Sequence, residues 1–188
     1  MFQLIDRLTN KITMYRLVIY CLLALLTTAV GLSIFHLLPY QPLDIIATTV
    51  FLLAVCFVVN YIFAWVYQAP SNVESVYITA LILALIISPI AVADNVALLV
   101  WAAVLAMASK YVLAWHKKAL FNPAALAVTV TALTMGQAAS WWVSNTYLLP
   151  VAAVAAIFIA RKVKRFDLVL SFLAATVLVS AIFDWENV

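Results

Sequence analysis

The sequence predicts an all-α, polytopic transmembrane helical bundle of about seven helices, two of them short. Three observations carry that expectation. The chain of 188 residues is 69% hydrophobic and 9% charged, with a mean hydropathy of +1.18, whereas a soluble domain carries about 25% charged residues. Its apolar residues fall into seven runs, and about 20 such residues cross a hydrocarbon core as helix. Apart from Lys110, every Lys and Arg lies at joints of one parity, the pattern that orients membrane helices.

Taken in order, Met1–Thr13 is charged and has no small-residue cleavage site, so it reads as a retained cytoplasmic leader. The first run is Met14–Leu38 and the second, after Pro39–Pro42, is Leu43–Tyr67. The third, Val76–Ala93, is short; Ser71-x-x-Glu74 before it has capping-box spacing, and Ser88-Pro89 interrupts it. The fourth is Asn95–Trp115. The fifth, Pro123–Gln137, is also short. It opens on Asn122-Pro123, a side chain that accepts from a free first-turn N–H followed by a residue with no N–H to satisfy, and it ends near Gly136. The sixth and seventh are Ser140–Ala160 and Phe166–Phe183.

Arg7 and Lys11 precede the first run and Arg16 stands at its start, His116, Lys117 and Lys118 follow the fourth, and Arg161, Lys162, Lys164 and Arg165 follow the sixth. The opposite joints, Pro39–Pro42, Asp94 and Gln137–Ser140, hold no Lys or Arg. Seven crossings place every basic cluster in the cytoplasm, with a cytoplasmic N-terminus and with Asp184 and Glu186 outside, in a plasma (inner) membrane. Residues 1–188 read as a single transmembrane domain, either whole or the N-terminal membrane part of a longer protein. Trp115, Trp141, Trp142, Trp185, Tyr15, Tyr40, Tyr67 and Tyr147 stand near run ends, where an interfacial aromatic belt forms.

Composition excludes several functions. With only Gly31 and Gly136, no glycine-rich phosphate loop exists. Cys21 and Cys56 form no Cys-x-x-Cys pair, so no metal site is expected. His36 and His116 sit at opposite membrane levels and cannot share a haem. The net charge of +3 is a topology signal and implies no nucleic acid. Carboxylates sit in joints or at run ends, against an ion path through this chain alone. No catalytic constellation is visible.

Two short segments, each entered through a cap, point to a site between helices; local bilayer thinning is the plainer explanation. Lys110 either snorkels to the cytoplasmic headgroups or stands near a ligand at the Asn122 helix start. Asn60, inside the second run, calls for an interhelical hydrogen bond.

The run from Lys110 through Phe121-Asn122-Pro123-Ala124 resembles the signature of the membrane subunits of flavin-based electron-transfer pumps, the D subunit of the Rnf complex and the B subunit of the sodium-pumping NADH:quinone oxidoreductase. Ile78–Pro89 is similar to that family's upstream Thr-(Gly/Ala)-Leu…Pro segment. The likeness covers about Ser75–Leu133 and is only hydropathic elsewhere. Ala114 and Trp115 replace the family's loop glycines, and Ala119 its first Asn. The motif that carries covalent FMN is absent, because Thr129, Thr131 and Thr134 lack its glycine context.

The resemblance implies a shortened relative holding a non-covalent flavin, riboflavin or FMN, and passing electrons within or across the membrane. A reductase domain or subunit would be the donor, since no nicotinamide motif occurs here. Asn122, Pro123 and Ala124 would supply the helix start, Phe121 and Tyr77 stacking surface, Ser75, Thr79 and Ser88 hydroxyls, and Lys110 a charge. The alternatives are a small-solute channel or transporter, or a ligand-free membrane scaffold.

Overall fold

In the computed structural model, which describes residues 12–89, 91–115, 118–136, 140–164 and 166–185, the apolar runs become seven α-helices. They are α1 (Met14–Ile34), α2 (Pro42–Val66), α3 (Val73–Ile86), α4 (Val92–Val112), α5 (Pro123–Met135), α6 (Leu149–Val163) and α7 (Phe166–Trp185). A two-residue antiparallel pairing, β1 (Ala114–Trp115) with β2 (Lys118–Ala119), tightens the α4–α5 joint. Three helices, α1, α2 and α4, are long and apolar enough to cross a membrane. The protein is an all-α membrane protein. Arg7, Lys11, His116, Lys117, Gln137, Arg165 and Glu186 lie outside the described residues.

Local chemistry sets the helix ends. Thr13 caps α1, its side chain accepting from the Arg16 N–H at 3.4 Å. α2 opens with Pro42 in its first turn and with Asp44 nearby, where a negative charge meets the positive dipole end. At α3 the expected capping box is not the cap. Asn72 takes that position and accepts from the Ser75 N–H at 3.3 Å, while the Ser71 hydroxyl turns to Asn60. α5 ends at Gly136, whose φ of 66° is the left-handed conformation glycine adopts without strain.

Two ends of the bundle are defined by contacts. At one, here the Lys110 end, Arg16 of α1 pairs with Glu74 of α3 at 3.0 Å, and Lys110 of α4 reaches Ser75 of α3. The α4–α5 hairpin places the start of α5 at that end too. At the other, the Trp142 end, Tyr40 before α2 meets Trp142 edge-on at 5.5 Å, and the 140–142 segment after α5 closes the end of α3. Helices α1, α3 and α5 therefore run one way and α2 and α4 the other. The short helices traverse the bundle and do not turn back inside it.

α3 is central. Its 14 residues include eight that are buried, and it packs against α1, α2, α4 and α5. An all-round apolar helix of this kind belongs inside a bundle. Small residues allow the close approach: Ala80 and Ala84 of α3, Ala102, Ala103 and Ala106 of α4, and Ala124 and Ala127 of α5 share one buried cluster. In lipid, where water does not drive helices together, such close packing is the main attraction.

At about 1.5 Å per residue, α3 is about 21 Å long, short of the roughly 30 Å hydrocarbon core. Its end is therefore closed by protein. Of the carbonyls in the last turn, Leu83 O accepts from Ile87 N at 2.9 Å, Ala84 O from Trp142 Nε1 at 3.0 Å, and Ile86 O from Ser140 N at 3.2 Å and Trp141 N at 3.1 Å. Non-helical backbone inside a membrane is tolerated where protein satisfies it in this way.

Three expectations change here. Trp142 is buried at 6% exposure and caps α3, so it is not part of an aromatic belt, whereas Trp141 beside it is exposed. The sixth run begins its helix at Leu149, not Ser140, because residues 140–148 are taken up in closing α3 and in turns before Pro150. α4 ends at Val112, short of the run's end at Trp115, so Lys110 stands in its last turn. Outside this core, α7 packs on α6, and its described side chains are all exposed.

Candidate polar site at the Lys110 end

The densest polar grouping joins α2, α3 and α4 at the Lys110 end. Asn60 is 6% exposed near the end of α2. Its amide donates to Ser71 Oγ at 2.7 Å, and its Oδ1 accepts from the Tyr111 hydroxyl of α4 at 2.8 Å. This is the interhelical bonding expected of an intramembrane Asn. One residue earlier on α4, Lys110 Nζ donates to Ser75 O at 2.9 Å and to Ser75 Oγ at 3.2 Å. Thr79 Oγ1 donates to the same carbonyl at 2.9 Å. Tyr111 stacks on Phe63 with ring centroids 5.8 Å apart, and Tyr67 flanks both.

Lys110 does more than snorkel: its ammonium is spent on the first turn of α3. Among the described residues its partners are neutral oxygens of Ser75, while Glu74, the first-turn carboxylate, pairs with Arg16. A cation beside the positive end of a helix dipole, with no carboxylate of its own, leaves net positive potential there. An anion or an electron-rich ring would be favoured at such a place.

The other expected site residues separate into three groups. Lys110, Thr79 and Ser75 converge on one carbonyl, as described. Tyr77 lies on another face of α3, edge-on to Phe57 at 4.9 Å, and lines a groove with Arg16 and Glu74. At the start of α5, Asn122 Oδ1 accepts from Ala124 N at 3.1 Å, Pro123 begins the helix, Ala124 is buried and Phe121 is exposed. Ser88 is at the opposite end, bonded to Ser140 Oγ at 2.6 Å, and does not join the other hydroxyls.

Sequence reasoning did not single out Tyr111, and it gave Ser71 only a capping role. Asn60 was the signal that pointed to them, since a buried amide needs both a donor and an acceptor. Its partners lie 51 and 11 residues away, and only the fold brings them close.

Among the described residues no group of three or more His, Cys, Asp or Glu could hold a metal ion. Comparison with protein families, with curated proteins and with solved structures finds no match to this chain.

Proposed function

We propose that this protein is a membrane electron-transfer component that holds a flavin, riboflavin or FMN, non-covalently at the Lys110 end of its bundle. It would be fed by a reductase domain or subunit from the cytoplasm, in a plasma membrane with the N-terminus cytoplasmic. The observation that carries the reading is one junction. The run Lys110–Ala124, which resembles the flavin-pump signature, forms the turn from α4 into α5, and its Lys110 rests on the first turn of the second short helix, α3. Two helix starts and an ammonium with no carboxylate partner among the described residues suit the electron-rich reduced ring or a phosphate, and the protein's part in such chemistry is to position and tune the cofactor. The orientation is supported by the positions of Arg16, Lys110, Lys118, Lys162 and Lys164 and by the absence of Lys and Arg from residues 35–41 and 136–148.

The test is the visible spectrum of the full chain purified in mild detergent. A yellow protein that releases its fluorescence on denaturation supports the reading, and a colourless one refutes it. Asn122→Ser keeps a helix cap but removes the amide. Loss of a hydrogen bond to one buried partner costs about 1–3 kcal/mol, roughly five- to hundred-fold in affinity. Flavin per folded protein should fall by that factor in Asn122→Ser and stay unchanged in Ser88→Ala at the far end.

A further inference from the structure

We propose that the groove between α1 and α3 is a binding site for one anionic phospholipid, independent of any flavin site. The groove has a volume of about 390 Å³. That is room for about a dozen groups the size of a liquid water.

The lining follows from helical spacing. On α1, Arg16, Ile19, Tyr20 and Leu23 are three and four residues apart and share one face. On α3, Glu74, Tyr77 and Leu81 repeat that spacing. The two helices run in the same direction, with Arg16 Nε on Glu74 Oε1 at 3.0 Å holding their starts level. Leu53 of α2 also lines the groove.

Polarity therefore changes in step along both walls. From the helix starts onward, the charged pair comes first, the phenols of Tyr20 and Tyr77 next, and Leu23 and Leu81 last. Seven residues of helix on each wall give a fall of about 10 Å from charge to hydrocarbon. A phospholipid has that same order: phosphate, glycerol esters, acyl chain.

Arg16 selects the headgroup charge. Glu74 takes its Nε, its only side-chain partner among the described residues, and the residue is 63% exposed. The two terminal amino groups of the guanidinium remain to grip a phosphate in the paired geometry that arginine favours. The basic residues gathered at this end of the bundle add a field that attracts anionic lipid over neutral lipid. Glu74 fixes the guanidinium plane and excludes a bound carboxylate from its own side.

The experiment is native mass spectrometry of the full chain released from nanodiscs of equal palmitoyl-oleoyl phosphatidylglycerol and phosphatidylcholine. One retained phosphatidylglycerol per chain is expected. Arg16→Gln should lower its occupancy about tenfold, the scale of one lost charge-assisted bond. Leu23→Trp, on a half-exposed wall position, should displace it by filling the slot with Arg16 intact. Lys164→Gln, an exposed basic side chain at the same end but outside the groove, removes only its share of that field and should lower occupancy far less than Arg16→Gln does. Unfolding midpoints identify any variant whose fold has failed. Equal retention in wild type, Arg16→Gln and Leu23→Trp would overturn the proposal, as would an equal loss in Lys164→Gln, which would mean attraction to the charged surface alone. Retention of phosphatidylcholine in place of phosphatidylglycerol would also overturn it.

Discussion

Removing the Tyr111 hydroxyl should destabilise the bundle through one identifiable bond. Tyr111→Phe deletes the donor to Asn60 Oδ1 at 2.8 Å and leaves the ring stacked on Phe63. Hydrogen bonds between membrane helices contribute about 0.6 kcal/mol on average and at most about 1.7. This one is short, and its acceptor is 6% exposed, so the upper half of that range applies. Asn60→Ala should cost more, about 1–3 kcal/mol, because it also strands the Ser71 hydroxyl, whose bond to Asn60 Nδ2 is 2.7 Å.

The double variant should then be less destabilised than the sum of the single ones by about 0.6 kcal/mol or more, since the bond can be lost only once. Equilibrium unfolding in mixed dodecyl sulfate micelles, followed by tryptophan fluorescence, measures all three. Additivity within about 0.3 kcal/mol would refute the claim that the Asn60–Tyr111 bond joins α2 to α4.

Three further outcomes are expected. Trp142→Phe keeps the ring in its pocket but removes the donor to Ala84 O, and should lower stability in the same micelle assay by about 1–3 kcal/mol. The neighbouring exposed Trp141→Phe should be nearly neutral. Gly136→Ala has free space for its new methyl group, so its whole cost, about 1 kcal/mol in the micelle assay, should come from the φ of 66°. With Cys21 and Cys56 replaced, an impermeant thiol reagent added to intact cells should label Gln41→Cys and spare Lys164→Cys; the reverse pattern would refute the proposed orientation.

Much of the fold is legible in the chain because each cue is local. Pro123 after Asn122 starts α5, Gly136 ends it, and the runs that become α1, α2 and α4 are long enough to be recognised as membrane helices without knowledge of their neighbours. The same holds for the need of Asn60 for a partner, which follows from burying an amide in hydrocarbon.

What the tertiary structure alone decided are the choices among equivalent local partners. Ser71 had the spacing to cap α3, yet Asn72 caps it, because the Ser71 hydroxyl is claimed by Asn60 across the bundle. Trp142 and Trp141 are identical in sequence terms. Only the second is at the surface, because the open carbonyls at the end of α3 draw the indole N–H of the first inward. Lys110 could have reached the headgroups, and its ammonium instead rests on Ser75, 35 residues earlier. In each case a hydrogen-bonding group inside an apolar medium must find a partner somewhere. The residue type declares that need, and the packing of distant helices determines which group meets it.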